Sequence, residues 1–522
     1  MKKNIVFSLF LLILGTACDS KPKVDLLEKG IPLKMAEFRK QQVSNVVYTL
    51  SFDIPSEKEE PIPSRLQLDV EINDLSQPLY LDFNAEASLL KTIQVNGEEQ
   101  EVNHQREHII ITENLQKGPN TIDISFNAGE LSLNRNEDYL YTLLVPDRAS
   151  TLFPCFDQPN IKARYVLDVT APKEWEVLCG APVENTSNKD GKTHYRFGES
   201  DPMSTYLFSM VAGKFESVTE NPGVFDMTLL YRETDSAKID YSIPTIFDLH
   251  QRSIDFLMNY TQYKFPFQKL DYAAIPGFQY GGMEHVGAIQ YRQSSIFLDE
   301  SATESRRMGS AKLIAHETSH MWFGDLVTMD WFNDVWMKEV FANFMADKII
   351  NPTFPDINHR LQFMNSHYRG AYGEDRTRGT NPIRQDLNNL KNAGSLYGGI
   401  IYNKAPIMMR QLEATIGEKA FRDGIREYIS TYAYENATWT DLVNILDKRT
   451  SKDLKKWSEV WVNQSGRPIL EEKIDYTNGK ITNFSISQHA EDGSDKLWPQ
   501  SFEVTLLYPY NSRTIPVTIS ES

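Results

Sequence analysis

Two histidines four residues apart, with a glutamate directly after the first, give the sequence its clearest chemical signal. The stretch reads His316-Glu317-Thr318-Ser319-His320. Residues four apart lie on one face of a helix, so both imidazoles can bind a single ion while Glu317 stands beside them. The pattern fits zinc, but catalytic zinc takes three protein ligands and keeps one position for water. The spacing therefore predicts a zinc site that needs a third ligand from another element.

Glu339 is the candidate for that third ligand. Eighteen residues separate it from His320, enough for a turn and a returning helix that begins at Val335. Its neighbours in the sequence, such as Phe341, are unusually apolar for a charged residue. Burying an unpaired carboxylate is costly, so a bound cation is the simplest explanation. We expect one Zn²⁺ per chain, held by His316, His320 and Glu339.

The elements that position these residues are helices in the middle of the chain. From about residue 245 the apolar residues recur at helical spacing. This spacing predicts helices at 245–260, 305–323, 335–350, 406–415, 418–432 and 439–448. The zinc motif then lies at the end of one helix and Glu339 lies in the next.

Strand patterns flank this helical part on both sides. Apolar and polar residues alternate at 48–54, 65–73, 121–126 and 165–169, and again at 469–476, 480–487, 502–508 and 514–519. The sequence therefore predicts a multidomain α+β protein. Its parts are an N-terminal β-sheet domain (40–216), a mainly α catalytic domain (217–465) and a partial C-terminal β-sandwich (466–522), whose strands run out before a sheet closes.

The length of the chain indicates how many domains it has, and its net charge limits the classes of partner that it can bind. The chain has 522 residues, which suggests roughly three or four domains. Its 54 Lys and Arg residues against 71 Asp and Glu residues leave a net charge of −17. An acidic surface repels phosphate backbones and anionic lipid headgroups, so we expect no nucleic-acid partner.

The first residues have the pattern of an export signal. Lys2 and Lys3 precede an apolar run at 5–14, which ends in Gly15-Thr16-Ala17-Cys18. One interpretation is a plain secretory peptide cleaved near Ala17. The small residues before Cys18 also resemble a bacterial lipobox, in which Cys18 becomes the lipidated first residue. We expect a signal peptide at 1–17 and a linker at 18–39. The exported protein would be a periplasmic or cell-envelope lipoprotein that meets the membrane only through Cys18.

Two further cysteines remain, Cys155 and Cys179. Two residues cannot make a disulfide framework, so the fold must depend on its core. In an oxidising compartment the two could pair, and two buried free thiols are the equally simple alternative.

Three other motifs accompany the zinc signature. The signature itself continues as Met-Trp-Phe-Gly-Asp-Leu-Val-Thr at 321–328 and Trp-Phe-Asn-Asp-Val-Trp at 331–336. The three other motifs are Gly281-Gly282-Met283-Glu284-His285, Phe-Pro-Cys-Phe-Asp-Gln-Pro at 153–159, and Tyr402-Asn403-Lys404. Together they resemble the gluzincin aminopeptidases typified by aminopeptidase N, over roughly residues 40–522 and in the family's order. The segment 281–285 is similar to the family's exopeptidase motif, Gly-x-Met-Glu-Asn.

This resemblance implies a thermolysin-like catalytic domain at 217–465 and a zinc metalloaminopeptidase that removes N-terminal residues from peptides with a metal-activated water. Zinc would polarise the scissile carbonyl, and Glu317 would take the proton of the water and deliver it to the leaving amine. A tyrosine stabilises the oxyanion in the family. We place it at Tyr402, just before the helix whose first turn holds Pro406, with Tyr397 as second choice.

The exopeptidase motif implies how the substrate binds. Glu284 would pair with the free α-ammonium of a peptide by charge and hydrogen bonds. Gly281 and Gly282 would let the substrate backbone approach closely and pair as an extra strand alongside Met283.

Several positions depart from the family pattern. Leu143 and Val145 stand where the family has a Gln-x-Glu pair that helps to hold the amine, which leaves Glu284 alone. Lys338 replaces an Asn next to the third ligand, and Asp325 also replaces an Asn. His285 replaces the Asn of the exopeptidase motif and introduces a group that titrates near neutral pH.

Two alternatives stay open. The first is a zinc endopeptidase of relaxed specificity, which the same chemistry permits and which Val145 favours. Family members usually add a helical C-terminal domain over the cleft, which this sequence lacks either as a natural short form or by truncation. In a truncated chain the cleft would be open to larger peptides. The second is a non-catalytic lipoprotein that captures peptides without cleaving them.

Overall fold

The structure is a computed structural model that describes residues 26–223 and 225–519. The predicted signal peptide, Cys18 and the first part of the predicted linker lie outside the described residues. Among the described residues, no helix combines the length and the apolar character that a membrane crossing requires.

A twisted eight-stranded sheet forms the base of the N-terminal part, behind a short helix at Leu33–Gln42 that the sequence analysis missed. The strands alternate buried and exposed residues, as in Pro63–Ile72, where Leu66, Leu68, Val70 and Ile72 are buried. The four strands predicted here are all present, each longer than expected. In spatial order the sheet contains Val183–Lys189, Lys192–Phe197, Arg164–Pro172, Val43–Asp53, Pro63–Ile72, Gly118–Asn127, Leu90–Val95 and Glu98–Gln100.

Two smaller sheets complete this part. One contains Glu176–Cys179, Met210–Gly213, Tyr139–Thr142 and Leu133–Arg135, and the other contains Leu79–Asp82, His108–Ile111 and His104–Gln105. The chain that follows Tyr139–Thr142 carries Val145 towards the helical part. Cys155 and Cys179 are both buried free thiols, so the disulfide considered from the sequence is not formed.

The next part combines a five-stranded sheet with helices. Its strands are, in spatial order, Glu216–Glu220, Met227–Tyr231, Asp271–Ile275, Ala288–Arg292 and Gly282–Met283. The last of these, the edge strand, pairs antiparallel with Ala288–Arg292 and leaves its other side without a strand partner in the described sheet. The edge strand belongs to the predicted exopeptidase motif.

The helices are Ser236–Thr261, Gln293–Ile296, Glu304–His320, Trp336–Ile350, His359–Phe363, Arg369–Asp375, Ala405–Ile416, Glu418–Thr431, Trp439–Asp447 and Leu454–Trp461. All six predicted helices are among them. The first begins nine residues earlier than the predicted start at 245, because the Asp235 side chain accepts hydrogen bonds from the N–H groups of Ala237 and Lys238 and the helix continues through Pro244.

Two separate hairpins follow. Pro468–Thr477 pairs with Lys480–Ala490, and Gln500–Leu507 pairs with Ser512–Ile519. Asn478 and Gly479 form the turn of the first hairpin, with both residues at positive φ, which favours this short hairpin turn. In the described residues neither hairpin joins a larger sheet.

Candidate active site

Two antiparallel helices carry the predicted zinc ligands. The HExxH helix (Glu304–His320) begins at Thr303, whose side chain accepts a hydrogen bond from the Arg306 N–H. It packs against the Glu339 helix (Trp336–Ile350). A 3₁₀ turn at Phe332–Asp334 reverses the chain between them. The packing brings the end of the first helix beside the start of the second.

The three predicted ligands meet at this point. Nε2 of His316 lies 3.1 Å from Nε2 of His320 and 3.7 Å from Oε2 of Glu339. Ligand atoms of His316, Glu317 and His320 all lie within 4.8 Å of one another, as do those of Glu284, His320 and Glu339. These distances describe a group that can bind a metal ion.

The chemistry of the donor atoms fits a divalent cation. His320 Nδ1 lies 3.0 Å from the Phe323 carbonyl oxygen, and His316 Nδ1 lies 3.1 Å from Asn343 Oδ1. Because both acceptors require a proton on Nδ1, the two Nε2 atoms face each other as unprotonated lone pairs. Burial, with His320 second, lowers the pKa of His316 to about 4, so the ring is neutral at pH 7. Two ligands on one tetrahedral zinc ion lie about 3.3 Å apart, close to the observed spacing.

Asn343 is a site residue that the sequence analysis missed. It lies four residues after Glu339 on the same helix, so both side chains face the HExxH helix. Its hydrogen bond fixes the orientation of the His316 ring, as second partners of metal-binding histidines commonly do. Its position four residues after the predicted ligand Glu339, on the same helix face, could have identified it from the sequence.

Glu317 is buried beside the metal-binding group. Only 3% of its surface is exposed. Burial, together with the Glu284 and Glu339 carboxylates, raises its pKa well above the usual range. A carboxyl group with a raised pKa beside a metal-binding group is suited to accept and return a proton.

The two glycines of the exopeptidase motif lie against the HExxH helix. A Cβ atom on Gly282 would lie 2.4 Å from Oε1 of Glu317, and one on Gly281 would lie 3.2 Å from Cδ1 of Leu313. Glu317 and Leu313 occupy the space that side chains at these two positions would need, so the glycines let the edge strand approach the HExxH helix. That Gly281 and Gly282 also let a substrate backbone approach stays a prediction.

Glu284 follows the edge strand and is 3% exposed. Its Oε1 atom accepts a hydrogen bond from Nζ of Lys338, and the same Nζ lies 3.1 Å from Oε1 of Glu339. Burial alone would raise the pKa of Glu284, but the Lys338 ammonium, His320 and hydrogen bonds together outweigh burial and lower it. The carboxylate is therefore charged and already has a cationic partner.

Two more departures from the family pattern, His285 and Asp325, are buried. His285 is fully buried, and burial lowers its pKa to about 4. It stays neutral near pH 7, so the expected titration near neutrality does not arise from this residue. Asp325 is also fully buried, and burial, with Glu284 second, raises its pKa well above the usual range.

Tyr402 lies in a π-helical turn, Ile400–Lys404, directly before the helix Ala405–Ile416. Pro406 stands in the first turn of that helix, as predicted. The rings of Tyr397 and Tyr402 stack with centres 6.4 Å apart. Burial raises the pKa of both phenols, so each keeps its proton and can donate a hydrogen bond.

A cavity of about 380 Å³ connects these groups. Val145, Pro146 and Arg148 of the N-terminal part form one side, and Tyr397 and Tyr402 line it as well. Of the site residues predicted from the sequence, Gly281 alone is absent from its wall; those present are Gly282, Met283, Glu284, His316, Glu317, His320, Glu339 and Tyr402. We call this cavity the cleft.

Comparison with known proteins gives two family matches. Residues 246–461 match the peptidase family M1 domain, and residues 79–207 match the peptidase M1 N-terminal domain. The chain is 32% identical over 367 residues to a probable aminopeptidase 2 of Sulfurisphaera tokodaii, an alignment of 70% of this chain and 46% of that protein. It is 31% identical over 322 residues to a leucyl aminopeptidase of Saccharolobus solfataricus (62% and 40%). It is 32% identical over 362 residues to an aminopeptidase N of Streptomyces lividans (68% and 41%). In each case the aligned part spans less than half of the relative.

Proposed function

The chain belongs to peptidase family M1, and on that premise we propose that it is a zinc metalloaminopeptidase that hydrolyses N-terminal residues from peptides. One observation carries the proposal: Nε2 of His316 lies 3.1 Å from Nε2 of His320 and 3.7 Å from Oε2 of Glu339, while Glu317 lies buried beside them. The relatives named as aminopeptidases support it.

We assign one zinc ion to His316, His320 and Glu339. When bound, zinc polarises the scissile carbonyl and lowers the pKa of its bound water to about 7. The Phe323 carbonyl and Asn343 orient the two imidazoles so that Nε2 of each faces the metal position. Glu317 is not assigned as a zinc ligand.

Glu317 then transfers protons. It accepts a proton from the attacking water and returns it to the leaving amine, which must be protonated to depart. Tyr402 donates its phenolic hydrogen to the oxygen of the scissile carbonyl as negative charge develops there. Tyr397, which lies beside Tyr402, is the alternative donor.

The edge strand can bind an extended peptide by β-strand pairing. Its free side can pair with a substrate strand, so that main-chain hydrogen bonds hold the peptide across the cleft. Glu284 stands at the end of this strand, where the N-terminal group of such a peptide would lie. We propose a peptide with a free N-terminus as the substrate.

The test is hydrolysis of leucine p-nitroanilide by the zinc-loaded protein and by Glu317→Gln. We expect the variant to keep its zinc and to lose about a thousandfold in kcat, because the proton carrier is gone. Glu304→Gln, in the exposed first turn of the same helix, is the matched control and should retain full activity. Equal activity of Glu317→Gln and the control would remove Glu317 from its assigned role.

Internal cleavage is the second candidate function. It is favoured by Val145 in the cleft wall and by the pairing of Glu284 with Lys338, which together weaken the recognition of a chain end. Mass spectrometry of the products of an unblocked decapeptide distinguishes the two. Stepwise loss of N-terminal residues supports the aminopeptidase, and fragments from internal bonds support the endopeptidase. Binding without any cleavage would instead support a peptide-binding protein.

We also propose that the protein is exported and anchored to the cell envelope through lipid on Cys18. The basic residues Lys2 and Lys3, the apolar run and the position of Cys18 support this. Labelling of the full chain with radioactive palmitate in a bacterial host tests it. We expect label in the wild type and none in Cys18→Ser, and an unlabelled wild type would contradict the lipid anchor.

A further inference from the structure

Lys338 places an ammonium group on the carboxylate of Glu284 inside the cleft. Its Nζ donates to Oε1 of Glu284 and lies 3.1 Å from Oε1 of Glu339. The side chains of Lys338 and Glu284 are only 5% and 4% exposed. The charge of Glu284 is therefore balanced by a cation that the chain itself supplies.

The Lys338 side chain is held along its length. Its ammonium lies 5.5 Å from the centre of the Tyr206 ring, within the range of cation–π attraction. Its stem packs against Gly324, where an added Cβ atom would lie 3.3 Å from Cβ of Lys338. Both contacts restrict the lysine to one position, in contrast to a surface lysine that samples many rotamers.

Among the described residues, Glu284 is the one cleft carboxylate to which no catalytic or metal-binding role is assigned. Within the described residues, the carboxylates that line the cleft are Glu284, Glu317 and Glu339. Glu339 is the proposed metal ligand and Glu317 the proposed proton carrier. The side of the cleft formed by Val145, Pro146 and Arg148 adds no carboxylate. A substrate ammonium would therefore have to share Glu284 with Lys338, and two like charges at that separation repel.

We propose that Lys338 fills the position on Glu284 that a substrate α-ammonium would take, so that the cleft accepts peptides with an acylated N-terminal nitrogen about as well as peptides with a free amine. The proposal rests on the peptidase function proposed above. An acylated nitrogen carries no charge, so Lys338 does not repel it.

The acyl group also brings a carbonyl oxygen that can accept a hydrogen bond. The Lys338 ammonium has three N–H donors. Among the described residues it donates to Glu284 and lies 3.1 Å from Oε1 of Glu339, so it can offer a remaining donor to that oxygen. The same amide carbonyl is present when the residue is preceded by more peptide instead of an acyl cap.

The experiment compares leucine p-nitroanilide, its N-acetyl form and an N-acetylated tripeptide anilide that ends in the same leucine. For the zinc-loaded wild type we expect kcat/KM values of the first two substrates within about tenfold of each other. Lys338→Met should raise the ratio of free to acetylated substrate by about tenfold to a hundredfold, the usual value of a hydrogen bond to a charged group. This rise in the ratio should come mainly from a lower KM for the free-amine substrate.

Two further variants control for the loss of a buried charge. Lys338→Arg keeps the cation and should keep the wild-type ratio. The double variant Lys338→Met with Glu284→Gln removes both charges, so its ratio should return towards that of the wild type. Calorimetric binding of leucinamide and N-acetyl-leucinamide to Glu317→Gln gives the same comparison without turnover.

The outcomes separate the two proposals. If the zinc-loaded wild type cleaves none of the substrates, the peptidase function fails. A wild type that prefers the free amine by more than about a hundredfold leaves that function standing and overturns the role of Lys338, as does an unchanged ratio in a folded Lys338→Met. Cleavage of acetyl-leucine anilide supports the acyl cap as the accepted group. Cleavage of the acetylated tripeptide anilide but not of acetyl-leucine anilide overturns the acyl-cap proposal and supports cleavage within a longer chain.

Discussion

Gly282 lies so close to Glu317 that a Cβ atom on Gly282 would stand 2.4 Å from Oε1 of that carboxylate. Real Cβ atoms do not approach an oxygen so closely, so any side chain at this position would push the carboxyl group aside. The glycine of the edge strand thus determines where the proposed proton carrier lies.

We therefore expect Gly282→Ala to lower kcat by about a hundredfold, because small displacements of reacting groups have effects of that size. Its zinc content, measured by atomic absorption, should stay at the wild-type level. Gly281→Ala is the control, since its Cβ would meet the flexible end of Leu313 at 3.2 Å, and it should change kcat by less than about threefold. Equal losses in both variants would show that the edge strand, and not the contact with Glu317, is responsible.

Asn343 gives a second prediction. Because its Oδ1 accepts a hydrogen bond from Nδ1 of His316, Asn343→Ala should weaken zinc binding by about tenfold to a hundredfold. Asn343→Asp retains an acceptor oxygen and should bind zinc at least as tightly as the wild type. Competition with a fluorescent chelator measures both affinities. An alanine variant with the wild-type affinity would mean that the ring needs no such support.

Local spacing explains what could be predicted from the sequence. The HExxH helix and the Glu339 helix are each defined by apolar residues a few positions apart, and the histidine pair needs only one helical turn. The strand patterns of both β parts are equally local. Errors occurred where local signals conflict, as at Pro244, which suggests a break inside a helix that in fact continues.

Contacts between distant parts of the chain could not be predicted in this way. Lys338 meets Glu284 across 54 positions, and Gly282 meets Glu317 across a strand-to-helix packing that no periodicity encodes. Lys338 stood out only as a departure from the family pattern. That Val145 lines the same cleft as Glu284 depends on how the N-terminal part packs against the helices.

The roles of Tyr397 and Tyr402 can be distinguished by removing the hydroxyl group of each in turn. Tyr402→Phe removes the proposed oxyanion donor and should lower kcat by about a hundredfold while KM changes by less than about threefold. Tyr397→Phe keeps the stacked ring and should have a much smaller effect. Steady-state kinetics on leucine p-nitroanilide provide the comparison. The opposite order of effects would assign the oxyanion to Tyr397.

Asp157 makes the stability of the fold depend on pH. Burial raises its pKa to about 6, although the Ser150 N–H and the Thr205 hydroxyl donate to it at 2.8 and 2.7 Å. In an unfolded chain the pKa is about 3.9, so the folded state binds more protons between these values. This contribution is fully present below about pH 4 and is lost as the pH rises through about 6, by at most about 3 kcal/mol in the free energy of unfolding.

Asp157→Asn carries no titratable group at this position, so its Tm should fall less than that of the wild type between pH 4 and pH 7. Asparagine keeps one acceptor oxygen for the Ser150 N–H, which limits the loss of hydrogen bonding. Thermal unfolding followed by circular dichroism at several pH values gives the two curves. Asp190→Asn, in an exposed turn of the hairpin Val183–Lys189 and Lys192–Phe197, is the control and should follow the wild type. Parallel curves for Asp157→Asn and the wild type would show that the buried carboxyl does not titrate in this range.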